Sequence, residues 1–208
     1  MNLKVFEIFS DIQGESSYSG YPCTFIRLSE CNLRCTYCDT QEAYTGGKNL
    51  SVKNILIQVE KMGCQLVEIT GGEPMLQKGT PELADKLIAM SYTVLIETNG
   101  TVDIQSLKDK IITIFDIKCP GSGMTDKICW KNLQYLKPHD EIKFVIGSKS
   151  DYDWAKSIVV KHNLDKKHIV HFSPVWSLLK ISDLASWVFE DNLYVRVQPQ
   201  LHKLLGRK

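Results

Sequence analysis

No stretch of this 208-residue chain is long and apolar enough to cross a bilayer as a helix. Its start, Met1-Asn2-Leu3-Lys4-Val5, runs straight into an alternating strand pattern with no leader-like block. Neither sign of charge dominates: 25 Lys and Arg stand against 24 Asp and Glu, a net charge of +1. That balance predicts no nucleic-acid partner and no membrane surface. The chain also lacks low-complexity tracts, internal repeats and linkers, so one domain over residues 1–208 is expected. The hydrophobic fraction of 43% and charged fraction of 24% suit a soluble globular protein with a continuous core. Seven cysteines without an export signal point to a reducing compartment, the cytoplasm. There they serve as metal ligands or buried thiols.

Three of those cysteines stand together, in Cys31-Asn32-Leu33-Arg34-Cys35-Thr36-Tyr37-Cys38. Three thiolates so spaced can hold three corners of a cubane [4Fe-4S] cluster, which four cysteines normally bind. The fourth iron is then free for another ligand. Structural zinc needs four ligands, commonly as paired short spacings. Cys23, Cys64, Cys119 and Cys129 are isolated and do not complete such a set.

Around this loop the chain alternates short β-rich runs with amphipathic segments. Strands are expected at 3–10, 23–29, 66–70, 93–97, 112–117, 142–146, 169–172 and 193–197. Helices are expected at 51–62, with Ser51 as cap and Gly63 as stop, and at 80–90, 126–136, 151–162 and 177–189. Apolar strands alternating with helices predict a parallel sheet buried on both faces, with right-handed crossovers. Six βα units are too few for a closed eight-unit barrel. The expected α/β fold is a partial (β/α)6-type TIM barrel or an open twisted sheet. Polar residues gather after the strands, at Gly71-Gly72-Glu73-Pro74, Glu97-Thr98-Asn99-Gly100, Asp116 to Lys118, and Ser173. Sites in such sheets form at the carboxyl ends of the strands, so one site drawn from most of the chain is expected.

The cysteine spacing, with Gly71-Gly72-Glu73-Pro74, resembles the radical S-adenosylmethionine (SAM) enzymes. In these the unique iron of the cluster chelates the amino and carboxylate groups of SAM. Reductive cleavage then yields a 5′-deoxyadenosyl radical that takes a hydrogen atom from substrate. Further motifs narrow the resemblance: Glu7-Ile8-Phe9-Ser10-Asp11-Ile12-Gln13-Gly14-Glu15, Gly20-Tyr21-Pro22, Phe25-Ile26-Arg27, Asp39-Thr40, Glu97-Thr98-Asn99-Gly100-Thr101, Asp116-Ile117-Lys118 and Arg196 to Lys203. Together they are similar to the 7-carboxy-7-deazaguanine synthases. The resemblance implies a lyase that contracts the ring of 6-carboxy-5,6,7,8-tetrahydropterin with loss of ammonia, on the route to queuosine-type 7-deazapurines. Its implied cofactors are a [4Fe-4S] cluster, SAM and Mg2+. A homodimer and a flavodoxin- or ferredoxin-type reductant are implied as well.

The same resemblance assigns roles. Ile12, Gln13, Gly14 and Glu15 would meet the pterin, a backbone carbonyl, an unencumbered glycine and a carboxylate facing its amide-like edge. A plain turn is the alternative. Arg27 is a lone guanidinium in an apolar strand and needs a partner if buried. The substrate carboxylate suits it, and a salt bridge is the alternative. Thr40 would give Mg2+ a hydroxyl oxygen, with a helix cap at Asp39-Thr40 as the alternative. Thr70 and His202 complete the substrate set. Tyr37 (where tryptophan is commoner in the family), Asp39, Gly71, Gly72, Glu73, Glu97, Asn99, Asp116, Lys118 and Ser173 form the SAM set. Gly71 and Gly72 would let the backbone approach the methionine moiety. A terminal carboxylate near substrate is another family feature; here the tail is the basic Gly206-Arg207-Lys208. After Glu15 the family often has glycine, and this chain has Ser16. Two other readings of the cysteine loop compete, a glycyl-radical-activating enzyme and a non-catalytic zinc module.

Overall fold

A computed structural model describes residues 1–207. The elements in chain order are β1 (Asn2–Ile12), β2 (Pro22–Leu28), β3 (Lys48–Ser51), α1 (Val52–Met62), β4 (Leu66–Gly71), α2 (Thr80–Ala89), β5 (Thr93–Thr98), β6 (Ile112–Lys118), β7 (Glu141–Ile146), α3 (Lys149–His162), β8 (Ile169–Pro174), α4 (Ile181–Glu190), β9 (Arg196–Val197) and the helical turn α5 (Leu201–Leu204). The strands form one sheet in the order β3-β1-β2-β4-β5-β6-β7-β8-β9. Its centre, β2-β4-β5-β6-β7-β8, is wholly parallel and is the partial (β/α)6 barrel that the repeat predicts. The sheet is open, with β3 and β9 at its edges.

Local signals account for the helices that hold the sheet from outside. Ser51 caps α1, its hydroxyl accepting from the Asn54 amide at 3.2 Å. Val52, Ile55 and Val59 form its buried stripe, and Gly63 ends it at φ +74°, a left-handed position that suits glycine. In α3, Ser148 caps in the same way and Asn163 closes the helix at φ +52°.

Several expectations needed correction. The sheet is not all parallel: β1 pairs antiparallel with β2 and β3. The 126–136 segment is no α-helix but short 3-10 turns at Thr125–Lys127 and Trp130–Gln134. Asn132 explains why. Its buried amide donates to the Gly100 and Val102 carbonyls and accepts from the Ile104 amide, so the side chain takes over backbone pairing from the β5–β6 loop. Helix α4 starts at Ile181 rather than 177, and the last strand keeps only Arg196 and Val197. Thr80 is the first residue of α2, and its hydroxyl donates to the Pro74 carbonyl at 2.6 Å.

The largest correction concerns the strands. They are not apolar on both sides. One alternation, Ile26, Leu28, Val67, Ile69, Val94, Ile96, Phe115, Ile117, Ile142, Phe144 and Phe172, packs against the helices in the main core. The other faces inward. At the amino ends it forms a small apolar floor of Cys23, Leu66 and Leu95 with Phe25 and Ile112. Toward the carboxyl ends it becomes polar: Arg27, Glu68, Thr70, Glu97, Asp116, Lys118 and Lys143. These side chains, with the loops above them, enclose the site.

Candidate active site

The inner face bounds a cavity of about 430 Å³, the size of a small-molecule site. Cys31, Cys35 and Cys38 line one side of it. The loop that carries them leaves β2 and is pinned to the loop after β6. The Thr36 amide donates to the Ser122 carbonyl at 3.1 Å, and the Thr36 hydroxyl to the Gly121 carbonyl at 2.6 Å. Asp151 holds that second loop from behind, accepting from the Gly121 and Gly147 amides at 2.7 and 3.0 Å. All seven cysteines are free thiols. Burial raises the thiols of Cys31 and Cys35, with Lys118 opposing it at both. Among the described residues no three His, Cys, Asp or Glu side chains converge on a single-ion site. A cubane face needs no such convergence, because each thiolate takes its own iron. The three-thiol set therefore fits a cluster.

The segment 12–15 also lines the cavity. Gln13 is buried between two partners: its amide nitrogen donates to Glu68, and its amide oxygen accepts from the Glu15 backbone at 3.1 Å. Gly14 is not unencumbered as expected. A Cβ there would lie 2.0 Å from His202 Nδ1, so the glycine admits the histidine ring. The carbonyls of Gln13 and Gly14 already accept from the Gly20 and Leu201 amides, leaving one lone pair each. Ser16 occupies φ +61°, a conformation that favours glycine. Gln198 clamps it there, accepting from the Ser16 amide at 2.8 Å and donating to its carbonyl at 2.7 Å.

Arg27 already has a protein partner. Its Nε donates to Glu7 at 3.1 Å, the guanidinium lies over Phe9, and a terminal nitrogen stands 3.5 Å from the Thr40 hydroxyl. Thr40 makes no side-chain cap bond, so the cap alternative fails; its hydroxyl is 3.2 Å from Asp39 Oδ1. Asp39 pairs with Lys203 at 2.8 Å. Burial would raise its carboxyl, but Lys203 outweighs burial and holds it at about 2. Tyr37 donates to the Val145 carbonyl at 3.2 Å. The Asn99 amide reaches toward Cys31 Sγ at 3.8 Å and Asn32 at 3.3 Å.

Ile12, Gln13, Gly14, Glu15, Arg27, Tyr37, Asp39, Thr40, Thr70, Gly71, Gly72, Glu97, Asn99, Asp116, Lys118 and His202 all line this one cavity with the three cysteines. Two expected residues do not. Glu73 is fully buried under the loop, accepting from the Met75 amide, the Thr98 hydroxyl and the Asn99 amide at 2.9, 2.7 and 2.6 Å. Burial pushes its carboxyl up to about 7 against those bonds. Ser173 is also fully buried and its hydroxyl has no partner. Gly71 and Gly72 are required by the protein itself. A Cβ on Gly71 (φ +130°) would meet the Leu28 carbonyl at 2.1 Å, and one on Gly72 the Glu30 carbonyl at 1.9 Å.

The motifs did not reveal the charge cluster that lines the cavity. Lys143 Nζ lies 2.6 Å from Glu15 and 3.4 Å from Asp116, and also bonds Glu97. Burial opposes its charge, yet the three carboxylates raise it well above the usual lysine value. Glu15 and Asp116 show the converse: burial raises them, and Lys143 for one and Lys118 for the other bring them below normal. Glu68, deeper, is pushed up to about 8 by burial and then by Glu97. Gln200 donates to the other Glu15 oxygen at 2.6 Å. The signal was present as charged residues at alternate positions: Glu141 and Lys143 interleave with Ile142, Phe144 and Ile146.

The model for the Radical SAM superfamily matches residues 26–118. The chain is 41% identical over 218 residues to the 7-carboxy-7-deazaguanine synthase of Koribacter versatilis, covering 98% of this chain and 96% of that one. It is 40% identical to the protein of that name from Chlorobaculum tepidum, covering 98% and 94%. The crystal structure of QueE from Escherichia coli superposes with a TM-score of 0.80 at 22% identity, covering 97% and 95%, a likeness of fold.

Proposed function

The chain belongs to the 7-carboxy-7-deazaguanine synthase family of radical SAM enzymes, and on that premise we propose that its cavity is where 6-carboxy-5,6,7,8-tetrahydropterin is contracted to 7-carboxy-7-deazaguanine with loss of ammonia. The family's cofactors are a [4Fe-4S] cluster, SAM and Mg2+. When bound, cluster and SAM supply the 5′-deoxyadenosyl radical that removes a hydrogen atom from the carboxylate-bearing carbon of the substrate.

The chain's own residues bind and orient. Cys31, Cys35 and Cys38 hold the cluster. Asn99, Asp116, Lys118 and Glu97 hold the cofactor on the same side, Lys118 as a point charge for its carboxylate. Arg27, steadied by Glu7, offers its terminal nitrogens to the substrate carboxylate. Thr40 offers Mg2+ a hard oxygen donor, leaving positions for water and substrate, and Asp39, paired with Lys203, orients the cofactor region. Gln13, Gly14 and Glu15 meet the pterin edge, with His202 beside Gly14. The apolar floor beneath excludes water from the reacting centre.

The carrying observation is the convergence of the cysteine loop and the 12–15 segment on one cavity. Two further features support the setting. The seven free thiols fit the reducing cytoplasm, where a flavodoxin- or ferredoxin-type protein supplies low-potential electrons. Phe189 and Tyr194, 86% and 83% exposed, fit a surface that a second copy covers in a homodimer. The single continuous sheet supports one domain over 1–208. No helix among the described residues is long and apolar enough to cross a membrane.

The test is anaerobic reconstitution with iron and sulfide, paramagnetic resonance with and without SAM, and turnover of the carboxy-tetrahydropterin. A cluster signal that shifts on adding SAM, with appearance of the deazapurine chromophore, is expected. Stoichiometric zinc without iron or sulfide would refute the reading. So would a SAM-responsive cluster that yields no deazapurine.

A further inference from the structure

The Lys143 ammonium that lines the cavity has no role in the motifs that identify the family. We propose that Lys143 is a positioning residue that sets the spacing between the substrate-bearing segment and the cofactor-side strands. The inference rests on the function proposed above and adds a residue to it.

Three separate elements meet at Lys143. Glu15 comes from the segment between β1 and β2, Glu97 from the end of β5, and Asp116 from β6. Lys143 itself stands on β7, its side chain only 6% exposed. The other cation nearby, Lys118, pairs with Asp116 alone at 2.8 Å. Among the described residues Lys143 is therefore the joint through which Glu15 is tied to Glu97 and Asp116. Glu15 has both oxygens taken, one by Lys143 and the other by Gln200, so its carboxylate cannot swing.

A buried cation that served only stability would need one good partner. Three carboxylates around one ammonium are costly to assemble in a low-dielectric site unless their relative placement matters. Without the ammonium they repel one another, and Glu15 is the carboxylate on a loop rather than a strand, so it moves first. The pterin then shifts against the cofactor. Hydrogen transfer depends steeply on that distance. Cofactor binding is left largely intact: the cysteine loop, Asn99 and Lys118 are untouched, Asp116 keeps Lys118 as its partner, and Glu97 and Asp116 stay fixed on their strands.

The experiment compares wild-type holoenzyme with Lys143→Met, which keeps length and removes charge. Three quantities are read: the SAM-induced change in the cluster's paramagnetic resonance, KM for the carboxy-tetrahydropterin, and 5′-deoxyadenosine released per deazapurine formed. In the variant the SAM-induced change persists, KM rises about tenfold or more, and uncoupled 5′-deoxyadenosine appears. Glu15→Gln gives the same pattern, and the double variant adds little to it, because the two residues act as one unit. If Lys143→Met loads no cluster, Lys143→Gln, which removes the charge but keeps a polar side chain among the three carboxylates, carries the same expectation. A cluster-loaded variant with unchanged KM and coupling would overturn the proposal, as would additive effects with Glu15→Gln. Failure of the wild-type protein to make product would instead strike the underlying function.

Discussion

Replacing Glu73 should damage stability before it touches cofactor binding. Both oxygens of this carboxyl face donors: Oε1 accepts from the Met75 amide and the Thr98 hydroxyl, Oε2 from the Asn99 amide. Glu73→Gln keeps the shape but, whichever way the amide turns, sets an N–H against an N–H. Glu73→Ala leaves two backbone amides unpaired in a fully buried place. Each unsatisfied group costs about 1–3 kcal/mol, so the alanine variant, with two amides unpaired, should lose roughly 2–6 kcal/mol and the glutamine variant, with one, about 1–3 kcal/mol. Against a total of about 5–15 kcal/mol that is a large fraction. Urea unfolding of the cluster-free protein under anaerobic conditions measures it. Both variants within about 0.5 kcal/mol of wild type would refute the reasoning. A stable Glu73→Gln protein that failed to bind SAM would restore Glu73 to the cofactor set.

Other outcomes follow from the same geometry. Glu68 titrates at about 8 in the folded protein against 4.5 as a free group, because burial and Glu97 disfavour its charge. The native state thus binds more protons between these values, and stability falls as pH rises through that window. Glu68→Gln should flatten that fall, so thermal midpoints of variant and wild type should diverge with rising pH; parallel curves would contradict the assignment. Gly72→Ala places a methyl 1.9 Å from the Glu30 carbonyl and should prevent the turn from docking beside Cys31. Iron bound after reconstitution should drop to a small fraction, and normal loading would count against the docking argument. Asp151→Asn removes one acceptor from the Gly121 and Gly147 amides and should cost about 1–3 kcal/mol, with faster hydrogen exchange at Gly121. Unchanged exchange there would mean that Asp151 does not hold the loop.

The parallel core and the cysteine loop were legible because each is written locally. Ser51 and Gly63 mark both ends of α1, and the triplet spacing is itself a ligand set. The antiparallel edge was not, because nothing within β1 says which neighbour it will take. The segment around Asn132 carries a helix-like pattern that a single long-range amide network overrides. For the site, motifs located the wall but not its interior. Lys143 and Glu68 sit in runs dominated by Ile, Val and Phe, and their meaning emerges only when neighbouring strands bring their alternate residues to one face. Glu73 shows the reverse: it lies inside a motif attributed to the cofactor, yet its bonds hold the motif's own shape.

The clamp on the 13–17 segment comes from the far end of the chain. Gln198 holds Ser16, Gln200 holds Glu15, and the Leu201 amide holds the Gly14 carbonyl. Synthesis delivers these partners about 180 residues after the segment they fix. Fixing Glu15 and Ser16 is therefore a long-range event: it waits until the first and last parts of the chain have come together.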